Sequence, residues 1–226
     1  MDVRIVSIGT LAANPFWSES SPVRTGHATC TLIRTGDRVI LVDPGLPSPA
    51  LRAKLFERSG LEPEAITHVF LTSFRPDVFR GIELTPRATW WVAQDEREGV
   101  GVPLAQQLRR AADEGDTDTA QALERDVALL SRCEPAPDEL GEGVSLFPLP
   151  GVTPGLCGVL IAAPRHTLVI AGDSVPTVEH LEHGRIPDRH ADRERALDSL
   201  REVVEIADLV IPGRDGLCVN PTRRPF

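Results

Sequence analysis

The chain has no tyrosine and no two cysteines at metal-binding spacing, and each absence weighs against a class of chemistry. Without tyrosine there is no phenolic hydroxyl to act as a general acid. Cys30, Cys133, Cys157 and Cys218 are scattered with no C-x-x-C pair, which argues against both a thiolate zinc site and a disulfide framework. This usage fits a reducing cytoplasm in which the thiols stay free. No apolar run approaches the ~18 residues of a membrane span. The opening "MDVRIVSIGT" has an acid at its second position and alternating valine and isoleucine, so it predicts a first strand and not a signal peptide. Basic charge is also short: 24 Lys and Arg against 33 Asp and Glu leave a net charge of −9. Nucleic acid and an anionic membrane surface are therefore poor partners.

What is present suits an ordinary globular domain. A chain of 226 residues, 41% hydrophobic and 25% charged, is long enough to bury a sizeable core in one domain, 1–226. "ATCTLIRTGDRVILVDPG" reads as two strands joined at Thr35-Gly36-Asp37. "LPSPALRAKLFERSG" reads as a helix with Ser48 as N-cap, Pro49 in the first turn and Gly60 as the stop. Two more strands, "AITHVFLT" and "ATWWVAQDE", follow. Residues 104–132 are helical with a break near Gly115, and "CEPAPDELGEG" behaves as a linker. That helical segment is a candidate lid or homodimer surface. The strand pattern then restarts with "VSLFPLP", "GVLIAAP" and "HTLVIAGD". A polar loop, a helix from about Asp192 to Ala207 and a closing "DLVIPGRD" complete it. The chain thus divides into two similar halves, about 1–103 and 144–226, around a helical insert and linker, 104–143.

Three strands end in polar loops, at Ser73 to Val78, at Asp173 and at Arg214-Asp215, and side-by-side strands would bring them to one edge. The motifs "LVDPG", "VFLTSFRPDVFRG", "PLPGVTPG", "LVIAGDSV" and "LVIPGRD" resemble, in order and spacing, the five-motif series of the metallo-β-lactamase superfamily. The resemblance is nearest to its acyl-homoserine-lactonase-like members. It implies an α/β fold, the four-layer αββα sandwich. It also implies one or two metals, usually zinc, held by a His-x-His-x-Asp-His loop, a histidine in a Gly-His-Thr-x-Gly loop, a bridging aspartate and a last histidine after Pro-Gly. Neutral imidazoles and carboxylates suit such a dication.

Carried over position by position, that ligand set is mostly gone. Ser73 and Arg75 stand at the first two histidines, Asp77 is kept, and Val78 stands at the third. Val152 replaces the next histidine, Asp173 keeps the bridging aspartate, and Arg214 replaces the last histidine. Valine has no donor atom, serine is a weak neutral ligand, and arginine is a fixed cation with no lone pair to give. Related lactonases also place a tyrosine beside the metal, and this chain has none. Asp43, in "LVDPG", stands where the family braces the ligand loop through backbone hydrogen bonds.

Without dications, two aspartates about 5 Å apart would repel by roughly 3 kcal/mol at an effective dielectric constant near 20. Arg75 and Arg214 occupy vacated histidine positions, so each guanidinium is expected to neutralise Asp77 or Asp173. The resulting expectation is a metal-free, inactive pseudo-hydrolase, with no cofactor, acting on an unknown small molecule or protein partner by binding or regulation. One alternative is an ester or lactone hydrolase with a rebuilt zinc site using Asp77, Asp173 and the cluster at His180, His183 and His190. Another is a small-anion binder whose Arg75 and Arg214 point outward, with His180 and His183 nearby. The histidine cluster by itself reads as a solvated polar loop, His68 as a packed residue, His27 as a rim residue and His166 as a turn residue. Phe16, Trp17, Trp90 and Trp91 read as core or rim packing, and Cys157 as a buried strand residue with no base beside it.

Overall fold

The computed structural model describes residues 1–223. Its elements run β1 (Asp2–Ser7), β2 (Cys30–Thr35), β3 (Arg38–Val42), α1 (Ser48–Ser59), β4 (His68–Leu71), α2 (Pro76–Phe79), β5 (Thr89–Val92), α3 (Gln94–Glu114) and α4 (Thr117–Arg132). They continue with β6 (Glu134–Pro135), β7 (Glu139–Gly141), β8 (Val144–Pro148), β9 (Cys157–Ala163), β10 (His166–Gly172), α5 (Val178–His183), α6 (Arg193–Ile206), β11 (Leu209–Pro212) and β12 (Cys218–Val219).

The strands form two six-stranded sheets, ordered β1-β2-β3-β4-β5-β6 and β12-β11-β10-β9-β8-β7. Alternation along each strand decides which layer a residue joins. In β3 and β4, Ile40, Val42 and Phe70 face the second sheet, where they meet Val159, Ile161, Leu168 and Ile170. Their neighbours Leu41, Val69 and Leu71 face outward and pack with Leu51 and Leu55 of α1. On the far side, Val169, Ala171 and Val210 are covered by Ala196, Leu200 and Val203 of α6. Helix, sheet, sheet and helix make the αββα sandwich, and strands buried on both faces explain their near-continuous apolar runs. Among the described residues, no helix is long and apolar enough to cross a membrane.

Several local expectations need correcting. Ser48 is the first helical residue and not the cap: Pro47 precedes the helix and no side chain caps it. Gly60 does end α1, at φ 68°. The helical segment begins at Gln94, well before 104, and runs through Pro103. A proline ring normally clashes with the carbonyl four residues earlier, and here that residue is Gly99, where an added Cβ would lie 2.5 Å from the Pro154 side chain. Gly99, Gly101 and Pro103 together hide the helix from a pattern reading. The stretch taken as a linker contributes β6 and β7, one to the end of each sheet. His166 begins β10 and is not a turn residue.

Candidate functional site

The C-terminal ends of β3, β4, β10 and β11 deliver Asp43, the Ser73 to Val78 loop, Asp173 and Arg214 to one edge of the sandwich. Close backbone approach makes this possible. A Cβ on Gly213 would lie 2.6 Å from the carbonyl carbon of Gly172 and 2.8 Å from Asp173 Oδ1, so only glycine lets the two loops touch. The amide of Arg214 donates to the Pro176 carbonyl (2.7 Å), which fixes where its side chain starts.

From there the guanidinium enters the site. Arg214 Nε and Nη2 donate to Asp173 Oδ1 (2.8 Å) and Oδ2 (2.7 Å) in a two-pronged pair. Its third nitrogen, Nη1, lies 2.6 Å from Asp77 Oδ2. The Arg214 side chain is only 2% exposed. Burial works against its charge, but Asp173 and Asp77 more than compensate and hold the group firmly cationic. Asp173 is likewise buried; desolvation opposes its ionisation, yet Arg214, Arg75 and His180 keep its carboxyl below the ordinary range. Arg75 caps the cluster from outside, with Nη1 3.1 Å from Asp173 Oδ2 and Nε 3.6 Å from Asp77 Oδ1, its side chain 39% exposed. The expected pairing of one arginine per aspartate is thus too simple, because both arginines contact both aspartates. Nor does Arg214 point outward, as an anion-binding site would need.

The other positions that the resemblance assigns to ligands are buried among side chains. Val78 sits among Leu51, Phe74 and Phe79, and Val152 among Leu149, Leu156 and Leu181. Ser73 is fully buried and its hydroxyl has no hydrogen-bond partner. This donor set does not suit a zinc-type dication. Its only two carboxylates each already meet a guanidinium within 2.6–3.1 Å, so an added metal would stand against a buried fixed cation. Among the described residues, no group of three or more His, Cys, Asp and Glu side chains is placed to hold a metal ion.

Two braces hold the loops. Asp43 adopts φ 52° and accepts from the Thr72 amide and hydroxyl, each at 2.8 Å. Burial pushes its carboxyl up to about 7, against the pull of those two hydrogen bonds and of Arg214. Glu96, in the first turn of α3, is fully buried and accepts from the Phe74 amide (2.9 Å), the Thr153 hydroxyl (2.7 Å) and the Gly155 amide (3.0 Å). It ties the Ser73 to Val78 loop to the loop after β8. Burial raises its carboxyl despite these three donors. A sequence reading misses Glu96 because it stands in "AQDERE", a run that looks wholly solvated.

The histidines behave differently from expectation. His180 and His183 lie on α5 and not in a solvated loop. His180 is buried, shares a 2.9 Å hydrogen bond with the Thr177 hydroxyl and meets the edge of Phe16, while His183 stacks on Phe16. Burial pushes the His180 imidazole down from its ordinary value. His190 bonds the Pro187 carbonyl. They form no ligand cluster with Asp77 and Asp173. His68 is packed as expected, on Trp91 and the Thr67 hydroxyl. Trp90 and Trp91 are buried, but Trp17 is largely exposed. Burial pushes the Cys157 thiol up to about 12, which favours the protonated thiol over the reactive thiolate.

Phe16 and Trp17 belong to a loop closed by the pairing of Thr10 with His27, and Trp17 Nε1 donates to Glu179 Oε1 (2.9 Å). Beneath the loop lies a cavity of about 90 Å³ bounded by Thr10, Trp17, Arg24, Glu179, Arg214 and Asp215. That is room for about three water molecules.

A family model described as metallo-beta-lactamase superfamily matches residues 23–73 and 87–213. The interval between these segments holds Arg75, Asp77 and Val78. No curated protein matches. Among solved structures, a metallo-beta-lactamase of Thermotoga maritima is 18% identical, with 96% of this chain and 98% of that chain covered and a TM-score of 0.68. A hydrolase of the beta lactamase superfamily is 17% identical over 99% and 92%, with a TM-score of 0.66. A quorum-quenching N-acyl homoserine lactone lactonase is 21% identical over 94% and 90%, with a TM-score of 0.61.

Proposed function

The chain belongs to the metallo-β-lactamase superfamily, and from that premise we propose that it is a metal-free, catalytically inactive member that works by binding or regulation. Its fold is hydrolase-like, and its structural neighbours include a lactonase and a hydrolase. The observation that carries the proposal is Arg214. Its buried guanidinium takes both oxygens of Asp173 and one of Asp77, the two carboxylates a metal pair would need. An internal cation that cannot lose its proton does the charge balancing of a dication while activating no water, because arginine offers no open coordination position.

Two further features agree. The cavity beside Arg214, about 90 Å³, is well below the ~300–1,000 Å³ of small-molecule sites. Arg75 and Arg214 face Asp77 and Asp173 one charge for one, leaving no surplus on which capture of a small anion would rest. The cluster therefore serves as an internal tie between three loops, and the work of the protein lies on its surface, toward a protein or small-molecule partner.

The test is turnover of an ester and lactone panel by protein purified without an affinity tag, with and without added zinc. The proposal expects no turnover above background and no response to zinc. Chelator-sensitive turnover that disappears in Asp173→Ala would refute it.

A further inference from the structure

β1 is the edge strand of its sheet, hydrogen-bonded to β2 on one side only among the described residues. An open edge presents unpaired backbone donors and acceptors and is a template for another strand. Beside it the two sheets part, leaving an apolar groove of about 490 Å³ between Val3 and Ile5 of β1 and Ile161, Leu168, Leu209 and Ile211 of the second sheet. Leu217, also on the groove wall, is 52% exposed, and Ile8, just past β1, is 59% exposed. None of these residues belongs to the arginine cluster.

The sequence of this edge is complementary to itself. In "MDVRI", Met1, Val3 and Ile5 share the groove-facing side, while Asp2 and Arg4 share the other. Two copies running antiparallel and centred on Val3 place Val3 opposite Val3 and Met1 opposite Ile5. The same register places each Asp2 opposite the other copy's Arg4, twice over. Arg4 Nε already lies 2.7 Å from Asp2 of its own strand, and both side chains are nearly half exposed, so the pairing closes a four-charge ring of alternating sign. A twofold axis perpendicular to the sheet keeps both grooves on the same side, so each would be covered by the other. A one-residue shift would set the apolar side chains against the charged ones.

We propose that β1 is a homodimer interface, in which a second copy of this chain pairs with it antiparallel about Val3 and covers the groove. The occupant is a second copy because the edge complements itself in both charge and apolar face. A ligand filling the groove would leave the backbone edge and the Asp2 and Arg4 pairs unused.

The test is sedimentation equilibrium of tag-free protein, comparing wild type with Asp2→Arg, Arg4→Asp and the double exchange Asp2→Arg/Arg4→Asp, each confirmed folded by circular dichroism. Each single change sets like charges face to face at both symmetric pairs and is expected to weaken dimerisation by about 10-fold or more. The double exchange restores opposite charges and is expected to return the dissociation constant close to that of wild type. A monomeric wild type, a dimer indifferent to the single changes, or a double exchange no better than either single change overturns the proposal. So does a monomer that carries an apolar small molecule in native mass spectrometry, which would assign the groove to that molecule.

Discussion

Arg214 and Asp173 meet through two parallel hydrogen bonds, Nε to Oδ1 at 2.8 Å and Nη2 to Oδ2 at 2.7 Å, with the arginine side chain almost entirely shielded from water. A pair of this kind is costly to break and cheap to replace. Arg214→Ala leaves Asp173 and Asp77 facing each other with only the half-exposed Arg75 between them. We expect it to destabilise the chain by about 3–5 kcal/mol in urea denaturation. Arg214→Met combined with Asp173→Asn removes both charges of the buried pair and should recover most of that loss.

Arg75 makes a contrasting prediction. It touches the same two aspartates, but at 3.1 and 3.6 Å and from a side chain that is 39% exposed. Water screens it, so Arg75→Ala should cost only about 0–1 kcal/mol in the same measurement. Comparable losses at Arg75 and Arg214 would contradict the division between a buried tie and an outer cap.

Asp43 predicts a pH dependence. Its folded carboxyl is held up to about 7 against an ordinary 3.8, so the folded chain keeps a proton that the unfolded chain releases within that window. The group's contribution is therefore fully present below 3.8 and is lost as pH rises through about 7. Asp43→Asn tolerates the positive φ and can still accept from the Thr72 amide. It should flatten the fall in melting temperature between pH 4 and 7. Asp173 acts in the opposite sense, since its lowered value means stability is lost as the solution turns acidic below its ordinary 3.8.

Much of this was legible in the residues themselves. The five loop motifs pointed to the candidate site because each sits where a strand ends, and strand ends are set by local pattern. Val78 and Val152 could be read as filled positions because valine has no donor atom under any geometry. The brace at Glu96 was not legible, since its burial depends on Phe74, Thr153 and Gly155, which are distant in sequence and brought together only by sheet packing. His180 was misread for a similar reason: a short helix and the ring of Phe16, 164 residues earlier, bury what looks like a solvated loop residue. The start of α3 was hidden by Gly99, Gly101 and Pro103, whose helix-breaking tendencies are overridden by packing.

Glu96 gives a fourth prediction. Its Oε2 accepts two hydrogen bonds and its Oε1 one. Glu96→Gln has a single accepting oxygen, so at least one buried donor loses its partner, at a cost of about 1–3 kcal/mol. Hydrogen exchange should then quicken at the Phe74 or Gly155 amide, and unchanged protection at both would show that the carboxylate is not the tie between these loops.

The central claim is that Arg214 stands in for the metal, and elemental analysis tests it most directly. The measurement is the zinc, iron and manganese content of tag-free protein from metal-supplemented cells, taken alongside Asp173→Ala. The account predicts well under one ion per chain and no difference between the two proteins. One or two ions per chain in the wild type, lost in Asp173→Ala, would contradict it.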